Sequence, residues 1–413
     1  MDSASIFTAA LDLTKPWMVT KTDFNTTSKE LHIYIDFPRG SQFACPTCQT
    51  PCPIHDTSEK IWRHLDFFQH KAFLHARVPR ANCKQHGILL VDLPWTRPHS
   101  GFTLLFESLL ATLAQSMPVL AITRFVGEHD TRIWRSLDRQ VKQARANVDM
   151  ASVRTIGIDE TSVRKHHKYL TIFADIETSR VLFATPGKGS DTLVPFLRDL
   201  TDHGGSARRI REVSIDMSPA FIRGVEDHIP HAKITFDKFH VTKLVMDALE
   251  QVRRSEQKES PEHYELLKNS RFSLLKNPEN MSDRMMGKLN EIRFSELNLK
   301  TARAWRLKQA FRSAYGLAGK IGEAGLRKWC SWANRCRLEP MRHVAKTIQK
   351  NWEGVIGYFK SRVTNAVMES INAGFQAARA KARGYRNPHY ATIILYLTSG
   401  GLQIPTLNKF HTK

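Results

Sequence analysis

The sequence contains no run of about 18 consecutive apolar residues, the length a helix needs to cross a bilayer, so no membrane-spanning helix is expected. It is also poor in cysteine. Six Cys in 413 residues are too few for a disulfide scaffold, and four of the six fall between Cys45 and Cys83. That clustering points to metal in a reducing compartment rather than to cross-links. The first segment, Met1 to Val19, carries Asp2, Asp12 and Lys15 and has no basic start followed by an uninterrupted apolar stretch, so no targeting signal is expected. Acidic residues are in deficit: 40 Asp+Glu stand against 61 Lys+Arg, a formal net charge of +21. Such an excess attracts polyanions, of which nucleic acid is the commonest large one. No basic amphipathic helix stands out, which disfavours an anionic membrane as the partner.

A chain of this length divides into about two to four domains. To Trp95 it reads as short strands and turns around the cysteines. Leu31–Phe37 alternates apolar and polar as a half-buried strand does, and Phe73–Pro79 is a second strand running into Cys83. Cys45-Pro-Thr-Cys48 and Cys83-Lys-Gln-His86 are two knuckles whose two-residue spacing lets both side chains of one turn reach a single tetrahedral ion. Thiolates plus imidazole in a closed four-ligand shell favour zinc in a structural role. Cys52 competes for a place, and His55, His70 and His75 are nearby alternatives.

Phe102–Gln115 is helical, Pro118 suits the first turn of a second helix to Val126, and Gly127–Asp130 is a turn in which Asp130 is the expected cap. Thr131–Arg145 is a third helix with Ile133, Trp134, Leu137 and Val141 on one side and Arg132, Arg135, Arg139 and Lys142 on others. The pattern fits a helix-turn-helix whose cations reach phosphates or guanine edges, and equally a purely structural helix pair.

From Ala151 the pattern becomes α/β. Val153–Ile158 is a strand expected to end at Asp159; Tyr169–Ile176 and Val181–Ala184 form a hairpin around Glu177–Arg180. Glu212–Ile215 is a strand ending at Asp216, and Ala232–Phe236 a fifth ending at Asp237. Three antiparallel strands followed by alternating helices and strands are the order of a ribonuclease-H-like fold. Long basic helices dominate from Val241 to about Gly357, and Ser361–Lys381 is a helix carrying Glu369. The apolar tail Tyr390–Leu397 is expected to pack on a core.

Asp159 and Asp216, ending neighbouring strands, can converge on one point, and Glu369 can join them from a helix whose Val367, Met368, Ile371 and Phe375 face the sheet. Clustered carboxylates are costly unless cations neutralise them, and hard oxygen ligands with open positions suit two Mg²⁺ or Mn²⁺ ions, which together drive in-line phosphoryl transfer. Asp237 and His240 lie near this edge, but Asp237 serves equally as the cap of the helix from Lys238. Lys381, Arg383 and Arg386 can contact the scissile strand or form a solvated basic face.

The chain resembles the ISL3 family of insertion-sequence transposases across nearly its whole length. The likeness rests on the CxxC…CxxH element, Gly157-Ile-Asp-Glu160, Ile215-Asp-Met-Ser218, Phe236-Asp-Lys-Phe-His240, and Glu369-Ser-Ile-Asn372 leading to Ala382-Arg-Gly-Tyr-Arg386. The resemblance implies a zinc-binding domain over 1–95, a helix-turn-helix over 96–150, and a DDE catalytic domain of ribonuclease-H fold. That last domain covers 151–240 and 358–413, interrupted by a helical insertion over 241–357. It also implies a triad of Asp159, Asp216 and Glu369, with double-stranded DNA, both transposon ends and target, as partner. A homodimer or larger synaptic assembly on the bacterial nucleoid in the cytoplasm completes the expectation. Many members close the second knuckle with Cys; here His86 stands, which is compatible with zinc. A DNA-binding regulator with an inactive catalytic domain is the competing expectation.

Overall fold

A computed structural model describes residues 2–164, 168–361 and 366–404. After helix α1 (Ser3–Ala10), the N-terminal region is built on a sheet of β1 (Met18–Asn25), β2 (Glu30–Asp36), β5 (Ile54–Phe67), β6 (His70–Cys83) and β7 (Gly87–Leu90). The order is β1-β2-β6-β5, with β7 on the far half of β6; β2 and β6 run parallel. Strict alternation in β2 buries Leu31, Ile33 and Ile35 against Ala72, Leu74, Ala76 and Val78 of β6. Trp17, Phe37, Phe43 and Trp95 close that core edge to face. The short ladder of β3 (Phe43–Ala44) and β4 (Pro51–Cys52) holds the first cysteine knuckle.

Three helices follow: α2 (Leu104–Ala114), α3 (Val119–Val126) and α4 (Asp130–Ala146). Gly127 ends α3 in the left-handed conformation, which turns the chain tightly into α4. The cap of α4 is His129, whose ring nitrogen accepts from Thr131 N–H; Asp130, expected as the cap, is instead the first helical residue, placed where a carboxylate favours the helix dipole. Arg63 fastens the first sheet to these helices. It is buried, pairs with Glu128 at 3.6 Å and lies 4.9 Å from the Phe106 ring. Nearby, Thr103 caps α2 and its hydroxyl lies 2.9 Å from His64 Nδ1. Burial pushes the His64 imidazole down to about 4. In the unfolded chain the ring takes a proton below about 6.5, so this group's stability is present above 6.5 and is lost as pH falls from 6.5 to about 4. We expect the unfolding free energy from denaturation curves to fall across that window by on the order of 2–3 kcal/mol, and His64→Gln to flatten the fall.

The second sheet comprises β8 (Thr155–Arg164), β9 (Lys168–Asp175), β10 (Arg180–Pro186), β11 (Glu212–Ile215) and β12 (Lys233–Phe236), in the order β10-β9-β8-β11-β12. The first three strands are antiparallel, and β11 lies parallel to both β8 and β12. The strand expected to end at Asp159 continues to Arg164, because Asp159 to Ser162 keep pairing with β9 while the Asp159 and Thr161 side chains find polar partners.

Helices α5 (Leu193–Asp202) and α6 (Pro219–His228) cover one sheet face, meeting Ile156, Ile158, Phe173 and Val213. That core continues into α7 (Lys238–Glu256), α8 (Pro261–Leu267), α9 (Arg271–Leu275), α10 (Asp283–Arg293), α11 (Lys300–Gly316), α12 (Gly319–Arg335) and α13 (Glu339–Lys350), then α14 (Trp352–Ser361), which lies along β12. The other face is covered by α15 (Ala366–Lys381) and α16 (Pro388–Ser399). Of the helix expected over Ser361–Lys381, Ser361 ends α14, α15 is described from Ala366, and residues 362–365 lie outside those described. The expected apolar tail forms α16, with Ile393, Ile394 and Leu395 buried. Helices α2–α4 share this second core. Trp134 stacks on Tyr390 at 4.1 Å, and Arg145 pairs with Asp199 at 2.7 Å. Among the described residues no helix is long and apolar enough to cross a membrane.

Candidate active site and zinc centre

The two knuckles meet. Cys45, Cys48, Cys83 and His86 place one ligand atom each so that all lie within 4.8 Å of one another. Cys48 Sγ is 3.7 Å from Cys83 Sγ, and His86 Nδ1 is 3.7 Å from Cys45 Sγ and 3.6 Å from Cys83 Sγ. A tetrahedron with Zn–S of about 2.3 Å and Zn–N of about 2.1 Å has edges of roughly 3.6–3.8 Å, so the donor set fits zinc in both type and size. Thr50 hydrogen bonds hold the Cys48 thiol down to about 6, near its thiolate form. Cys52 turns away to the Thr50 carbonyl at 3.2 Å, and His75 is engaged with His32 at 2.9 Å. With His55 and His70, they stay outside the set.

The acidic residues gather at one end of the parallel strands. Ser214 is in register with Gly157 and Ile215 with Phe236, so Asp159, Asp216 and Asp237 follow one another across β8, β11 and β12. Asp159 is half-buried. Its Oδ1 accepts from Glu160 N–H at 2.7 Å and its Oδ2 from Asn372 Nδ2 at 2.6 Å. Burial, with Asp216 and Asp237 adding to it, pushes the Asp159 carboxyl up to about 6. Asp216 accepts from Ser218 N–H at 2.9 Å, which fixes its turn. Asp237, only 2% exposed, caps α7 through Phe239 N–H and lies 3.2 Å from His240 Nδ1. That contact raises the His240 pKa, with Asp159 and Asp216 contributing from further off.

Helix α15 runs along β8. Met368 packs over Gly157, Asn372 meets Asp159, Gln376 reaches Thr161 at 2.7 Å, and Arg379 reaches the Ser162 carbonyl at 2.8 Å. Glu369 lies in the first turn of α15, in line with Asn372 and Gln376 at three- and seven-residue spacing, and is exposed. Its carboxylate is not gathered with Asp159 and Asp216 as tightly as the cysteines are: among the described residues only the Cys/His set has every ligand atom within 4.8 Å. Gly157 is what lets α15 approach. A Cβ there would lie 2.7 Å from Ile176 and 2.8 Å from Met368. Gly157→Ala should cost about 1–3 kcal/mol of stability and shift Asn372 off Asp159, read by thermal denaturation.

Of the basic residues expected on α4, Arg139 is 3.0 Å from the fully buried Glu107. Arg132 binds Glu128 and lies over the Phe102 ring, and Lys142 is 2.7 Å from Asp138. Arg135 alone of the four forms no ion pair among the described residues, and it is exposed. Lys381, Arg383 and Arg386 are exposed at and beyond the C-terminal end of α15. Asn372 was named in sequence only as the end of the Glu369-Ser-Ile-Asn372 motif and was given no role. Its place one turn after Glu369 was the available signal.

A family model described as "Transposase", of the ISL3 DDE kind, matches residues 156–395, the span from β8 to α16. The helix-turn-helix domain of transposase family ISL3 matches 91–141, and the zinc-finger of transposase IS204/IS1001/IS1096/IS1165 matches 41–86. The chain is 30% identical over 400 residues to the transposase for insertion sequence element IS1557 from Mycobacterium tuberculosis, covering 89% of this chain and 88% of that one. It is 26% identical over 373 residues to the transposase for insertion sequence element IS1001 from Bordetella parapertussis, covering 88% and 90%. The matched segments fall on the zinc knuckles, on α2–α4 and on the sheet that carries the acidic edge, and by them the chain belongs to the ISL3 family of insertion-sequence transposases.

Proposed function

We propose that this protein binds the terminal inverted repeats of its own element, cuts the DNA strand there and joins the freed 3′-OH to target DNA. The observation that carries this reading is the placement of Asp159 and Asp216 side by side on parallel strands, with a third carboxylate on the helix that bonds Asp159. The strand order, with its three antiparallel members and two parallel additions, supports a ribonuclease-H-like catalytic domain over 151–240 and 358–413, interrupted by the insertion 241–357. Residues 1–95 serve as the zinc-binding domain and 96–150 as the helix-turn-helix.

Burial, with the neighbouring Asp216 and Asp237 carboxylates adding to it, raises the Asp159 pKa, and a divalent cation held there would relieve that penalty. Asp159, Asp216 and Glu369 would hold two Mg²⁺ or Mn²⁺ ions, which activate the attacking oxygen and stabilise the leaving one. Asn372 fixes the Asp159 carboxylate, and Ser218 N–H fixes that of Asp216, so both are aimed before DNA arrives. Arg135, Lys381, Arg383 and Arg386 contact phosphates. Two ends must be cut together, so the working form is a dimer or larger. A labelled duplex spanning one inverted repeat and its flank tests this: the protein with Mg²⁺ or Mn²⁺ should nick at the repeat boundary. Binding of the repeat without nicking under any divalent metal would favour a DNA-binding regulator instead.

A further inference from the structure

The hairpin joining β5 to β6 turns through Phe67-Phe68-Gln69-His70, with Phe67 paired to His70. Phe68, at its tip, is 87% exposed, more than any other large apolar side chain among the described residues. Its φ is 55°, in the left-handed region that is uncommon for a bulky residue and that glycine adopts freely. We propose that this hairpin is a DNA-binding wing beside the helix-turn-helix. Phe68 is its wedge, entering between base pairs in the minor groove next to the major groove that α4 occupies. The inference rests on the repeat-binding reading above.

The hairpin is fastened to the helices close to its tip. Leu65 packs against the core that α2–α4 share, and Arg63 pairs with Glu128 at 3.6 Å. From the returning strand, Lys71 Nζ donates to the Gly127 carbonyl at 3.0 Å. Gly127 and Glu128 belong to the turn that leads into α4, and the first turns of a recognition helix are the part that reaches base edges. Thr131 and Arg135 are exposed there. Tip and helix start are therefore tied to the same short turn of chain, so a duplex seated on α4 passes close to Phe68.

The tip has the chemistry of a wedge. Its ring is backed: Phe68 lies 4.5 Å from the Phe67 ring, which lies 5.8 Å from Phe7 of α1. Unstacking a base step is uphill, so a side chain that does it needs firm support and an apolar face to cover the bases. The one carboxylate of residues 66–71, Asp66, is bound by Arg63, which blunts its repulsion of phosphate. Asp66 and Gln69 bracket the aromatic pair, so a single ring leads rather than the broad apolar face that a second protein would cover. A strained backbone holding an exposed ring gains the fold nothing, and such outliers gather at functional positions.

Full-length protein and a duplex carrying one inverted repeat, labelled at both ends for energy transfer, give the test. The wild type should bring the ends together as the duplex kinks. Phe68→Gly should leave the duplex straight and weaken repeat binding about tenfold, the stacking of one aromatic ring being lost. The same variant relieves the left-handed backbone, so its thermal midpoint should not fall, and misfolding does not cloud the result. Phe68→Trp should keep both the bend and the affinity. Bending and affinity unchanged in Phe68→Gly overturn the wedge. So does a loss that accompanies dissociation into smaller assemblies, read by light scattering, since the ring would then contact a second copy of the chain. Cleavage is read on the same duplex. A wild type that binds and cuts without bending sinks this inference alone, whereas one that does not bind the repeat sinks the repeat-binding reading and the wing with it.

Discussion

Asp159→Asn should yield a protein that no longer cuts DNA yet resists heat better than the parent. The loss is expected on the order of a thousandfold or more, because metal-assisted charge stabilisation contributes several kcal/mol and each 1.4 kcal/mol is a factor of ten. The gain has a separate origin. Folding raises the Asp159 pKa from 3.8 to about 6, so the ionised carboxylate opposes folding at neutral pH. That penalty is full above about pH 6 and fades as pH falls toward 3.8, and Asn removes it. An amide Oδ1 still accepts from Glu160 N–H. Asn372, whose own Oδ1 has no partner among the described residues, can rotate its amide to accept from the new Nδ2. A gain of about 1–3 kcal/mol follows, a few degrees in midpoint, largest above pH 6. A carboxylate that merely held the strand in place would give the opposite, a destabilised protein, so calorimetry and a cleavage assay on one variant separate the two roles. Asp216→Asn should lose cleavage to a similar degree while repeat binding persists.

Removing zinc should have the largest effect on the N-terminal region. Structural zinc contributes roughly 10–16 kcal/mol of apparent binding free energy in small fingers, and here the knuckles Cys45–Gln49 and Cys83–Gly87 have little apolar burial beyond the cysteines themselves. Chelation, or Cys83→Ser, is expected to release one ion per chain and to expose the amides of both knuckles to rapid exchange. The sheet β8–β12, with its own cores on both faces, should keep its protection. Cys52→Ser is the internal control: its sulfur lies outside the ligand set, so metal content should not change. Metal analysis with hydrogen exchange on the three proteins decides it. Equal zinc loss from Cys52→Ser and Cys83→Ser would reassign the ligands.

What the sequence revealed and what it hid follow from where each signal lives. The knuckles and the strands before Asp216 and Asp237 were legible because local spacing and apolar alternation specify them. The end of β8 was not. Asp159-Glu160-Thr161 interrupts the apolar run, yet the Asp159 and Thr161 side chains are met by Asn372 and Gln376 from a helix more than two hundred residues away. The long strand β5 was missed for a similar reason, since most of its residues are exposed and its pairing comes from β6. The buried face of α4 was read correctly. That its cations mostly serve Glu107, Glu128 and Asp138, and that α2–α4 share a core with α16, are tertiary facts no periodicity records. Among four candidate histidines and four candidate cysteines, only folded geometry separates Cys45, Cys48, Cys83 and His86 from the rest.

Anomalous diffraction from Mn²⁺, in crystals of the protein bound to its own transposon end, is the most direct test of the acidic site. Manganese bridging the Asp159 and Asp216 carboxylates, with Glu369 turned in from α15 to complete the shell, is the predicted result. Manganese absent from Asp159 and Asp216, or Glu369 facing away from them with DNA engaged, would contradict it.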